Sequence, residues 1–215
     1  MIVYEDRQDA GEGLADELIN YKDNNPYIFA LPRGGVPVAY QVSEKLKCPL
    51  DIITVRKLGV PWHPEFAFGA IAPDGVKVIH EDVVDRLNLT KEQIERVKSE
   101  EIEEMERRTK VYRKNLDYPN LAENTAIIID DGIATGATMH AAVKFVKKLK
   151  PERTIIAVPV SAGDSADKLQ EEVDDFICPS IPPNFSAVGQ WYRKFTQTSD
   201  EQVIKLLKKS KNNLN

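Results

Sequence analysis

One stretch of the sequence, Ile127-Ile128-Ile129-Asp130-Asp131-Gly132-Ile133-Ala134-Thr135-Gly136-Ala137-Thr138, gathers the residue types that hold a sugar phosphate. An apolar run ends in two carboxylates, and a Gly/Thr-rich turn then opens a helix. Ionised, Asp130 and Asp131 are pure acceptors, suited to two neighbouring sugar hydroxyls that each donate a hydrogen bond. The backbone N–H groups from Gly132 through Ile133, Ala134, Thr135, Gly136 and Ala137 to Thr138, with the hydroxyls of Thr135 and Thr138, can enclose a phosphate at the helix N-terminus. The turn contains no lysine and does not fit the GxxxxGK[ST] pattern that reaches β- and γ-phosphates, so a monophosphate is the expected ligand. Capping of the turn by two acids would not by itself call for two glycines and two spaced threonines.

Two further segments carry cations. Leu31-Pro32-Arg33-Gly34-Gly35-Val36 places Arg33, whose guanidinium can fork onto phosphate oxygens, beside Gly34 and Gly35, which let the backbone approach an anion. Val55-Arg56-Lys57-Leu58-Gly59-Val60-Pro61-Trp62-His63-Pro64-Glu65 reads as a strand running into a loop punctuated by proline and glycine, with Arg56 and Lys57 at its root. His63 and Glu65 are the acid–base candidates within it.

The elements that must position these groups follow from hydrophobic periodicity. Strands are expected at Tyr27–Leu31, Leu50–Val55, Ala126–Ile129, Thr154–Val158 and Asp175–Ile177. Helices are expected at Ala10–Tyr21, Val36–Leu46, Ala137–Leu149 and Ser165–Glu172. The alternation predicts an α/β fold, a parallel sheet flanked by helices, with ligands at the carboxyl ends of its strands. One segment breaks the rhythm: Thr90-Lys91-Glu92-Gln93 matches a capping box, and a thin stripe of Ile94, Val97, Met105, Tyr112 and Leu116 continues as one long charged helix, ended by Pro119. It is read as a helical insertion over 81–119, packed on the core or on a second copy of the chain in a homodimer. Residues 179–198, rich in proline and aromatics, form a small hood in the same single domain, 1–215. There Phe185, Trp191 and Tyr192 either offer flat apolar faces to an acceptor or pack the hood itself.

Composition narrows the partners. The chain has 215 residues, 42% hydrophobic and 29% charged, with no run approaching a transmembrane segment. Its start shows neither the basic flank nor the apolar stretch of a signal peptide, so a cytoplasmic protein with reduced Cys48 and Cys178 is expected. No CxxC or HExxH pattern proposes a zinc site. A formal charge of −5 argues against a general nucleic-acid binder, because Lys147-Lys148 and the Lys208, Lys209 and Lys211 cluster fall at helix ends, where cations suit the dipole.

Taken in order, the RGG, RK and DDGIATGAT segments resemble the type I phosphoribosyltransferases over about Tyr27 to Ile177. The chain also resembles an uncharacterised phosphoribosyltransferase-like group with RKLG…HPE loops. The resemblance implies a parallel α/β core with a variable hood, phosphoribosyl pyrophosphate as donor and Mg2+ as cofactor. It gives the ribose hydroxyls to Asp130 and Asp131, which meet the metal through those hydroxyls or through water, and the 5-phosphate to Gly132–Thr138. It gives the diphosphate to Arg33, Gly34 and Gly35, with a cis Pro32–Arg33 peptide, and a charge clamp over it to Arg56 and Lys57, with Glu65 in the same loop. Ala134 stands where the 6-oxopurine enzymes carry a third aspartate, which turns the expectation away from hypoxanthine and guanine. The acceptor is unidentified, and the same pocket would also serve a donor-sensing regulator or another phosphosugar enzyme.

Overall fold

The computed structural model describes residues 2–113 and 117–213, the side chain of Glu65 excepted. Five parallel strands form the central sheet: β1 (Pro26–Ala30), β2 (Leu50–Ile52), β6 (Thr125–Ile129), β7 (Arg153–Ala157) and β8 (Asp175–Ile177), in the order β2-β1-β6-β7-β8. β6 sits at the centre with all five residues buried. Period-2 alternation divides its side chains: Ala126 and Ile128 face one core cluster, Ile127 and Ile129 the other. The second cluster is closed by α1 (Arg7–Glu17), α2 (Gly35–Leu46) and α7 (Asp200–Asn213), the first by α5 (Ala137–Lys148) and α6 (Gly163–Gln170).

The helix ends follow side-chain chemistry. α1 begins three residues before the expected Ala10, because the Asp6 carboxylate accepts from the N–H groups of Gln8 and Asp9 and caps the turn that contains Arg7. At α7, Ser199 and Gln202 satisfy one another's backbone N–H, and Val203 and Leu207 then enter the core against α2.

The segment expected as a loop after Arg56 is instead paired. β3 (Arg56–Val60), β4 (His63–Ala72) and β5 (Val76–Ile79) form a separate antiparallel sheet. Gly59, Pro61 and Pro64 hid it in the sequence, since proline and glycine weaken a strand pattern. A bulge absorbs them: Val60 pairs with His63 but Gly59 with Ala67, and a Cβ on Gly59 would meet the Pro64 carbonyl oxygen at 2.4 Å.

One face of this small sheet, with Leu58, Val60, Phe68 and Ile71, packs on α3 (Glu81–Arg86) and α4 (Lys91–Tyr112). The other, with Ala70, Ala72 and Val78, packs toward α5. The capping box of α4 is formed as expected, with Thr90 and Gln93 each bonding the other's backbone N–H. Of the expected stripe, Val97, Met105 and Tyr112 are buried and Ile94 is partly buried, Ile102 joins it, and Leu116 lies outside the described residues. Residues 179–198 run as loops and a short 3-10 turn (Val188–Trp191) over the amino-terminal Tyr4. No described helix is long and apolar enough to cross a membrane.

Candidate functional site

The sheet delivers β1 and β6 side by side, in register from Pro26↔Thr125 to Ala30↔Ile129, so their two exit loops emerge together. The loop after β1 is Pro32-Arg33-Gly34, with a cis peptide between Pro32 and Arg33, the isomer expected there. The loop after β6 opens with Asp130 and Asp131. The two loops touch. A Cβ on Gly34 would lie 2.0 Å from Asp131 Oδ2, and one on Gly35 would lie 2.8 Å from Asp130 Cα. No other residue type fits between the loop after β1 and the acid pair.

Both acids are tightly surrounded. Asp130 Oδ1 accepts from the Asp131 N–H at 2.8 Å, and burial beside a second carboxylate raises the Asp130 pKa well above its ordinary value. Burial also raises Asp131, opposed by Arg7, whose Nε donates to Asp131 Oδ2 at 2.8 Å. The Arg7 guanidinium lies 3.9 Å from the centre of the Phe195 ring and donates through Nη1 to the Thr196 carbonyl at 2.6 Å. Tyr192 Oη donates to the Asp131 carbonyl at 2.6 Å, and burial pushes its hydroxyl far above its usual pKa.

Beyond the acids, Gly132 is wedged against Val160 and Val188, and Ile133 bridges to Ser161, which anchors the start of the turn. Ser165 Oγ donates to the Ala134 carbonyl at 2.6 Å. Ala134 and Thr135 are exposed, Gly136 and Thr138 half-buried, and Ala137 buried as the first residue of α5. Gly136 takes φ 76° at the N-cap, a left-handed conformation that suits glycine. The first-turn N–H groups of α5, which have no intrahelical partner, point into this exposed turn.

The remaining candidates are placed differently. Arg33 Nη1 reaches Asp200 Oδ1 at 3.4 Å. Arg56, at the start of β3, donates from Nε to Glu101 of α4 at 2.6 Å and with Lys57 lines a cleft of about 360 Å3 between β3 and α4. In this conformation the structure therefore sets Gly34 and Gly35 against the acid pair, holds Arg33 at Asp200 and turns Arg56 toward α4. His63 is exposed, edge-on to Phe66. Trp191 and Tyr192 are buried, packed with Tyr4 and Val160, whereas Phe185, stacked on Trp191 at 6.3 Å, is only half-buried. A larger cavity, about 490 Å3, lies elsewhere, between the β4–β5 turn and α4. Arg7, Glu101, Asp200 and the Tyr192 hydroxyl were invisible to motif reading, since each reaches the site from a distant part of the chain.

Comparison with known proteins shows the family and the fold. A family model described as a phosphoribosyl transferase domain matches residues 4–66 and 70–196. Two Mycobacterium tuberculosis proteins, from strains CDC 1551 / Oshkosh and H37Rv, are named provisionally as phosphoribosyl transferases. Each is 42% identical over 207 residues, covering 96% of this chain and 47% of the relative, so the chain spans about half their length. The crystal structure of TT1426 from Thermus thermophilus is 33% identical, with TM-score 0.78 over 96% of this chain and 98% of that one. A Staphylococcus aureus hypoxanthine phosphoribosyltransferase shares the fold at 13% identity and TM-score 0.50, over 86% and 78% of the two chains. The sequence motifs, the parallel sheet with its paired exit loops, and the family match over most of the chain agree: the protein belongs to the phosphoribosyl transferase domain family, with a type I core.

Proposed function

We propose that the chain transfers the phosphoribosyl group of phosphoribosyl pyrophosphate to a nitrogenous acceptor and releases pyrophosphate. The observation that carries this reading is the contact of Gly34 and Gly35 with Asp131 and Asp130. It sets an anion-binding loop directly against two hydroxyl acceptors, with the N-terminus of α5 a few residues beyond. A sugar flanked by a phosphate and a diphosphate matches those three features in that order.

In the reaction the acceptor nitrogen forms a bond to the anomeric carbon while the carbon–oxygen bond to diphosphate breaks, its electron pair leaving with pyrophosphate and the nitrogen's proton passing to a base or to water. The sugar carbon develops oxocarbenium character, as in glycoside chemistry. Asp130 and Asp131 orient the ribose, Gly132–Thr138 hold the 5-phosphate, and Arg33, with Arg56 and Lys57 after hairpin closure, neutralises the leaving group. The described residues contain no cluster of three or more His, Cys, Asp or Glu able to cage a metal. The acid pair nevertheless fits Mg2+, which is commonly held by one or two carboxylates together with substrate phosphates. Bound there, Mg2+ would supply charge neutralisation of the diphosphate.

Donor binding is the direct test. With Mg2+ and donor at a hundredfold excess over Kd, linkage adds about 2.7 kcal/mol. The melting temperature should rise by roughly 5 to 11 °C for a chain of this size. No shift at millimolar donor would overturn the reading. A panel of nucleobases, orotate-like acids and small amines, followed by pyrophosphate release, then identifies the acceptor. Tight donor binding with no release from any acceptor would reassign the pocket to a sensor.

A further inference from the structure

We infer that Glu101 and Asp200 are internal counterions that occupy Arg56 and Arg33 in the resting protein, so that donor diphosphate must displace them and α4 sets donor affinity from outside the core. The inference rests on the donor reading above and adds control of the same site.

Glu101 is oddly placed for a surface acid. It lies four residues after Val97 and four before Met105, both buried against the small sheet, and so shares their face of α4. A leucine there would extend the stripe. The carboxylate instead meets Arg56 Nε at 2.6 Å, and both side chains are 25% exposed. The acid therefore answers to the arginine rather than to packing.

Asp200 repeats the arrangement for Arg33. It sits in the first turn of α7, where the helix dipole favours an anion, and accepts from Tyr112 Oη, the last residue of α4, at 2.5 Å. Arg33 Nη1 approaches the same oxygen at 3.4 Å, a long contact that a diphosphate oxygen can outcompete. On release of Arg33, Asp200 keeps the tyrosine, the helix N-terminus and, at 40% exposure, its water. The Tyr112 hydrogen bond, aided by Arg33, also holds its carboxyl below the usual range, so it stays charged through the exchange. Both arginines expected to receive diphosphate are thus held by acids tied to α4, one on the helix and one through its final tyrosine. Partly exposed pairs of this kind are weak enough to exchange.

The test is titration of the intact chain with pyrophosphate and Mg2+, and separately with phosphoribosyl pyrophosphate. Glu101→Gln and Asp200→Asn should each tighten pyrophosphate binding by roughly two- to fivefold, the range that exposed ion pairs supply. A merely structural acid would give no gain. Glu103→Gln, an equal charge change at an exposed position of α4, should give none. In an Arg56→Ala background the gain from Glu101→Gln should vanish. Affinities no tighter than wild type in both amide variants would overturn the inference, as would an equal gain in Glu103→Gln. Donor binding by wild type with no gain in the variants leaves the function intact and sinks the counterion idea. Pyrophosphate gains without any donor binding do the reverse.

Discussion

Asp130 is held in its protonated form more strongly than a carboxyl in water, because it is buried next to Asp131. Its folded pKa lies above the unfolded value, so folding favours the protonated form. That contribution is present in full below the unfolded pKa of about 4 and is lost as pH rises through the folded value. Asp130→Asn keeps an acceptor for the Asp131 N–H and removes the buried charge. It should match wild type near pH 3 and, at pH 8, melt higher by about 2 to 4 °C, equivalent to ~1 kcal/mol. Donor affinity should fall in the same variant. Thermal melts across pH, with and without donor, check both halves, and a uniformly lower melting temperature would show that the acid serves the fold instead. The acid pair was legible in the sequence because its chemistry is local: adjacent acids after an apolar run, before a glycine turn. Arg7 was not, since its distance from Asp131 is 124 residues along the chain and only 2.8 Å in space.

At the scale of elements, the hairpin of β3 and β4 carries Arg56, which the fold turns toward α4, and Lys57 beside it. If closure brings them onto the leaving diphosphate only as chemistry begins, they stabilise the transition state more than the bound donor. Replacing Arg56 and Lys57 together by alanine should then reduce turnover by about 3 kcal/mol while donor affinity changes far less. Titration and a pyrophosphate-release assay on the same variant give both quantities, and equal losses would remove the clamp role. Periodicity showed the parallel strands and α4 because their apolar spacing is regular and the Thr90 box marks a start. It failed at the hairpin because bulged strands have no fixed period: three residues, Pro64 to Phe66, stand between the partners of Val60 and Gly59. α7 was visible only as a cluster of lysines near its end, since its apolar residues, Val203, Ile204, Leu206 and Leu207, are few and fall between its fourth and eighth positions.

Across the whole molecule, α7 joins the site to the core. It presents Asp200 at one end and buries Val203 and Leu207 against α2, the helix that begins at the Arg33-Gly34 loop. Leu207→Ala should cost about 2 to 4 kcal/mol through the cavity it leaves. Urea unfolding measures this, and donor affinity of the folded fraction should stay as in wild type. A loss of affinity with no loss of stability would mean that α7 shapes the loop rather than supporting the core.

The pairing of β1 with β6 has a consequence for how the protein comes to be folded. Pro26 and Thr125 pair across a span of nearly half the chain, whereas β3, β4 and β5 pair only with near neighbours in sequence. Closing a loop of that length costs more entropy than closing a hairpin, so local pairings are favoured early and the central pairing late. The small sheet and α4 can therefore form first and bring Arg56 and Glu101 together before the acid pair meets Gly34. During synthesis the cation would acquire its internal partner before there is a site to bind the donor.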